Sequence, residues 1–200
     1  MAQQHHQNNN NTQSQSKFKP NEEQITCIIA LQDFINKNAP FSKMLINGSA
    51  GTGKTTLVIA SVLNCLISQI NNHYEMVKKM IDTNKFNDIK ILSHFIIAAP
   101  TNKAKDVMIS KYTAYLQSFT DDLVIDRLVL NSIASKTITF LTIAQVLNIS
   151  KVINELGEEE FTKGNEKKIS DKFKKPSYNN TFLVIDECSM ISNQQVKLLY

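Results

Sequence analysis

The sequence predicts an α/β chain built on a parallel sheet flanked by helices, and three observations carry that expectation. Two apolar, β-branched runs, "SHFIIAAP" and "TFLVIDECSM", have the length and continuity of buried strands. A long apolar segment, "KTTLVIASVLNCLISQI", has the length of a helix packed within a layered core. A glycine-rich turn stands directly before that helix, so extended segment, turn and helix follow in the order of a parallel unit.

Along the chain, residues 1–17, "MAQQHHQNNNNTQSQSK", are rich in Gln and Asn and poor in apolar side chains, which predicts a disordered tail. His5 and His6 within it make a poor metal site without further ligands. The ordered domain is expected over residues 18–200. In "KPNEEQITCIIALQDFI", Ile25, Ile28, Ile29, Gln32 and Ile35 follow helical spacing. Asn21 and Gln24 form a capping-box variant that starts the helix at about Glu22. "KMLIN" reads as a short buried strand. Asn71 to Leu92 is polar and reads as a helix end with a surface connection. Pro100 stops the "SHFIIAAP" strand, and a helix is expected from Thr101 to about Tyr115. A further helix is expected around "DDLVIDRLVL" and a strand in "KTITFLTI". Residues 147–180 are charged and read as an inserted subdomain, with "EEEFTKGNEKKI" as a hairpin turning at Gly164 and Asn165. There are no internal repeats.

The chain has 200 residues and five glycines, yet Gly48, Gly51 and Gly53 all fall within "INGSAGTGKTTLV". This run satisfies GxxxxGK[ST] at every fixed position. By average residue usage, a chance match in a chain of this length has a probability of about one in a hundred or less. Glycines allow successive amides to turn inward on phosphate oxygens, and the following helix adds its positive end. The loop therefore predicts nucleotide binding by Gly48, Ser49, Ala50, Gly51, Thr52, Gly53, Lys54, Thr55 and Thr56. Lys54 would reach the β and γ phosphates of ATP, and the Thr55 hydroxyl would ligate Mg²⁺. Asp186 and Glu187, at the end of the last apolar run, supply what phosphoryl transfer further needs. The first carboxylate would hold Mg²⁺ with Thr55, and the second would orient and deprotonate an attacking water, with Lys54 and Glu187 as the catalytic pair.

The net charge of +4 suits a polyanionic partner. Cys27, Cys65 and Cys188 are odd in number and form no CxxC pair, which argues against a disulfide framework or zinc site and for a reducing, cytoplasmic compartment. No apolar stretch approaches a membrane span, and no signal core opens the chain.

Taken together, "INGSAGTGKTTL", "IIAAPTNKAKDVM" and "VIDECSM" resemble the superfamily 1 DNA helicases of the Pif and RecD group, most closely the Dda-like helicases of phages. The resemblance covers most of residues 18–200. It implies a RecA-like P-loop domain, hydrolysis of ATP with Mg²⁺, and translocation 5′ to 3′ on single-stranded DNA. It implies that Gln24 contacts adenine, where the residues alone leave a capping role equally open. It implies that Thr101 and Asn102 touch a strand phosphate, where Thr101 is otherwise an N-cap. The charged insertion falls where such helicases place a small β-hairpin pin, and Phe161 there either stacks on a base or packs internally. Three departures stand out: Ala144 in "TIAQVL" replaces a DNA-contacting histidine, Lys105 replaces a small residue, and the second RecA-like domain with its arginine finger is absent from the sequence. Arg127 is the sole arginine and lies in no matching motif. The resemblance therefore implies a motor domain cut before its second half, whose missing segment or partner chain would supply that arginine. The alternatives are a non-hydrolysing nucleotide- or DNA-binding module and another P-loop ATPase of the PhoH-like or packaging kind.

Overall fold

The computed structural model describes residues 19–40, 42–83, 92–118, 127–153, 159–163, 181–193 and 195. The tail expected over residues 1–17 lies outside them, as do 121–126 of the expected "DDLVIDRLVL" helix and the lysine-rich stretch 164–180.

Helix α1 (Glu22–Lys37) begins where the capping box places it. Asn21 stays extended, its side chain accepts from the Gln24 amide, and the Gln24 side chain accepts from the Asn21 amide in return. Asn38, in the left-handed conformation, ends the helix. Its Ile25 and Ile29, part of the predicted apolar stripe, face outward, and Leu31 and Ile35 are the residues it buries.

Residues 43–47 correct the expectation of a buried strand. The segment joins no sheet among the described residues: Met44 and Ile46 lean on the core, while Leu45 between them is 76% exposed. A run covered on one side only, with no ladder partner, has the apolar composition of a strand without its hydrogen bonds.

Helix α2 (Lys54–Asn72) is the central helix, burying Leu57, Ile59, Val62, Leu63, Leu66 and Ile70 among others. A short helix α3 (Tyr74–Asp82) follows it, where the polar sequence suggested only a connection. Strand β1 (His94–Ala99) leads through Pro100 into α4 (Asn102–Ser118). Then α5 (Arg127–Thr137) runs directly into β2 (Ile138–Thr142) and on into the short α6 (Ile143–Leu147). Strand β5 (Thr181–Ile185) completes a three-stranded parallel sheet in the order β2-β1-β5. The chain is thus an α/β protein with a parallel sheet flanked by helices, as predicted.

Register decides which side of the sheet is dry. Phe95, Ile97 and Ala99 line up with Ile138 on one side and with Phe182 and Val184 on the other, and this face meets α2, Met108 of α4 and Leu130 and Ile133 of α5. Phe182 stacks on Phe95 at 5.5 Å between ring centroids and meets Phe34 of α1 edge-on at 6.5 Å. The opposite face is more open at Leu183, which is 42% exposed beside the half-buried Ile96, while Ala98 on that same face of β1 is buried. One polar joint fastens α2 to the start of β1. Gln69 accepts from the Ser93 amide at 2.9 Å and donates to the Ser93 hydroxyl at 2.8 Å.

The second sheet is an antiparallel hairpin of β3 (Ile149–Ile153) and β4 (Glu159–Lys163), with Lys151 opposite Phe161. Residues 159–163 of the predicted hairpin pair with the strand before them. The turn expected at Gly164 and Asn165 lies outside the described residues.

Candidate nucleotide site

Because β1, β2 and β5 are parallel, their C-terminal ends lie together. There the chain turns into Thr101, into α6, and into Asp186 with Glu187. The Asp186 amide donates to the Ala98 carbonyl at 2.9 Å, extending the ladder one residue and fixing the first carboxylate at the sheet edge.

The glycine-rich loop is closed by its own hydrogen bonds. Asn47 Oδ1 accepts from the Gly48 amide at 2.9 Å, and the Thr52 hydroxyl donates to the Ser49 carbonyl at 2.9 Å. Gly51 and Gly53 have φ of 80° and 81°, a conformation that costs other residues about 1–2 kcal/mol. Gly53 is the N-cap of α2 and provides no side-chain hydrogen bond to it. In α1 and α6 the Asn21 and Thr142 side chains cap the helix, and in α4 Thr101 Oγ1 accepts from the Ala104 amide at 3.1 Å. The first amides of α2 are instead left for an external anion.

Lys54 curls back over the loop, its Nζ donating to the Gly48 carbonyl at 2.7 Å and to the Ser49 carbonyl at 2.8 Å. The cation is therefore held at the loop mouth by weak acceptors that a phosphate would replace. The Thr55 hydroxyl donates to Asp186 Oδ2 at 3.0 Å, closing a gap of 131 residues in sequence. A hydroxyl and a carboxylate oxygen side by side, next to an open helix N-terminus, are the hard oxygen donors that suit Mg²⁺, so the residues present fit that ion. Glu187 follows at once, exposed, with φ 52° and ψ 46°. Its carbonyl accepts from the Met190 amide at 2.9 Å in the 3₁₀ turn Cys188–Met190. That left-handed backbone turns the chain sharply off the strand and presents the second carboxylate to solvent at the sheet end.

Residues 32–200 match the protein family described as AAA domain. The chain belongs to that family. It is a P-loop NTPase family that includes UvrD/Pif-like helicases, and its domains generally bind nucleotide with Mg²⁺. An uncharacterized protein of Acanthamoeba polyphaga mimivirus is 30% identical over 167 residues, 83% of this chain and 26% of that protein. The chain therefore spans about a quarter of the length of this relative. No solved structure matches the chain significantly.

The sequence-predicted residues fall into two groups. Gly48 to Thr56, Gln24, Asp186 and Glu187 gather at the loop and the adjoining strand ends. Thr101 and Asn102 lie at the start of α4, with the Thr101 hydroxyl committed to the cap and Asn102 Oδ1 accepting from Lys105 Nζ at 3.3 Å. Lys105, out of place for the resemblance, is thereby used locally. Phe161 lies on β4 of the hairpin. Arg127 is exposed at the first position of α5. Two features escaped the sequence reading. Asn47 orders Gly48 from just outside the motif, and Gln24 donates from Nε2 to the Thr52 carbonyl at 2.9 Å. The first could have been found from an Asn beside a glycine turn. The second joins positions 28 residues apart and has no local signal. Among the described residues, no helix is long and apolar enough to cross a membrane.

Proposed function

We propose that this P-loop domain is the N-terminal ATP-binding motor domain of a superfamily 1 DNA helicase of the Pif and RecD group, Dda-like, moving 5′ to 3′ on single-stranded DNA. The observation that carries the reading is the 3.0 Å bond between Thr55 and Asp186, which joins the phosphate loop to the "DECSM" strand end. The hairpin β3–β4 adds support. It follows α6 at the same end of the sheet as Thr101, where a pin and a strand-contacting threonine belong together.

In this mechanism the amides at the start of α2 and Lys54 bind and orient the triphosphate, Lys54 leaving the Gly48 and Ser49 carbonyls for phosphate oxygens. Thr55 and Asp186 would hold Mg²⁺, which when bound neutralises charge on the transferring phosphate. Glu187 accepts a proton from the attacking water, and Gln24 contacts adenine. Thr101 and Asn102 contact the strand backbone, and Phe161 stacks on a base.

A binding module without turnover is the second reading, in which the loop and Lys54 hold nucleotide and Glu187 is not used as a base. The deciding experiment measures ATP binding and hydrolysis with and without single-stranded DNA, for the parent chain, Lys54→Ala and Glu187→Gln. DNA-stimulated turnover lost in both variants, with binding kept in Glu187→Gln, supports the motor. Binding without turnover in the parent chain supports the module, and equal turnover in Glu187→Gln removes that residue from the base role.

A further inference from the structure

We propose that Gln24 is a positioning residue for the phosphate loop: it clamps the Thr52 carbonyl and holds the loop in its anion-binding shape, whether or not a base is present. The proposal deepens the nucleotide-site reading and rests on it.

The carboxamide is anchored before it reaches the loop. Its Oε1 accepts from the Asn21 amide at 2.9 Å, while the Gln24 amide donates to Asn21 Oδ1 at 2.8 Å, so the first turn of α1 fixes where the side chain points. Nε2 then donates to the Thr52 carbonyl at 2.9 Å. The contact is close on the neighbouring residue as well, since a Cβ on Gly53 would stand 3.3 Å from Gln24 Nε2. Gln24 therefore bears on the two residues that precede Lys54 and the open end of α2.

The two halves of the loop differ in what holds them. The first half, at Gly48 and Ser49, is held from within the loop by Asn47 Oδ1 and the Thr52 hydroxyl, and by Lys54 Nζ, which a bound phosphate must draw away. The second half, at Thr52, is held from α1 by Gln24, and that bond competes with no phosphate. The clamp thus persists through binding, when the lysine tie is lost. A side-chain amide has two donors and two acceptor sites, and Gln24 spends one of each on Asn21 and Thr52. One donor and one acceptor remain for a base, so the clamp and base contact are compatible and separable by experiment.

Inorganic tripolyphosphate separates them, because it carries the phosphates without a base. Binding of Mg²⁺-tripolyphosphate and Mg²⁺-ATP would be measured for the full chain, Gln24→Ala and Asn21→Ala, with a thermal melt of each. Loss of one hydrogen bond corresponds to a weakening of about 3- to 10-fold, expected for tripolyphosphate as well as ATP in Gln24→Ala. Asn21→Ala removes the helix cap but leaves its own backbone amide bonded to Gln24. It should lower Tm while keeping tripolyphosphate affinity within about 2-fold. Wild-type tripolyphosphate binding by Gln24→Ala, with the loss confined to ATP, would overturn the clamp and leave only base contact. An equal loss in Asn21→Ala would overturn it in favour of helix-end stability. A folded parent chain that binds neither probe would instead overturn the phosphate-site reading, and the clamp with it.

Discussion

Gly51 and Gly53 share a backbone conformation but not a neighbourhood, and this separates strain from crowding. A Cβ on Gly51 would meet nothing within 4 Å, whereas one on Gly53 meets Gln24 at 3.3 Å. Gly51→Ala should cost about 1–2 kcal/mol of stability from φ alone. Gly53→Ala carries the same strain and pushes on the clamp, so its ATP affinity should fall further than that of Gly51→Ala. Equilibrium unfolding and nucleotide titration of the two variants check this ordering. Equal losses of affinity would mean that the contact with Gln24 is immaterial. Glu187 shows the same economy at a non-glycine position, since its left-handed backbone lies where the candidate base must leave the strand.

At the scale of elements, the site depends on how α2 is seated. Ten of its residues are buried, and its C-terminal half is pinned to the start of β1 through Gln69 and Ser93. Ser93 is 6% exposed, so removing the Gln69 carboxamide strands a buried amide and a buried hydroxyl. Gln69→Ala should therefore destabilise the fold by about 1–3 kcal/mol, measurable by chemical denaturation. The Thr55–Asp186 bond lies at the opposite end of α2, so nucleotide affinity corrected for the folded fraction should be little changed. Helix α6 illustrates the reverse case of local sufficiency. Its five residues are held by the Thr142–Gln145 capping box, which also carries the chain from β2 into the hairpin.

For the molecule as a whole, the cysteines report on the core. Cys188 is exposed beside Glu187, Cys27 is half-buried on α1, and Cys65 is buried in α2, where burial pushes its thiol up to about 11. Thiol reagents should label Cys188 first and Cys27 more slowly, with Cys65 reacting only as the chain unfolds. Rapid labelling of Cys65 in the native state would show that α2 is not seated as described. The raised Cys65 value also has a definite sign in stability. The unfolded thiol ionises from about pH 9, while the folded one stays protonated until about 11, so this contribution is complete below pH 9 and is lost as pH rises through that window. Denaturation midpoints measured from pH 8 to 11 should fall, and Cys65→Ala should flatten that part of the decline.

Much of the architecture was legible along the chain because it is made by neighbours. The Asn21–Gln24 box, the glycine loop before α2, and the β-branched runs of β1, β2 and β5 each follow from residues within a few positions of one another. The P-loop NTPase family and the parallel α/β fold were accordingly legible in the sequence alone. The tertiary structure decided what depends on partners far apart. It left 43–47 outside the sheet, turned Ile25, Ile29 and Leu183 toward solvent, and paired residues 159–163 with the strand before them. It also brought Asp186 to Thr55 and Gln24 to Thr52. Periodicity records which residues are apolar, but a ladder or a side-chain bond exists only when a second segment arrives with matching register, and no local pattern encodes that arrival.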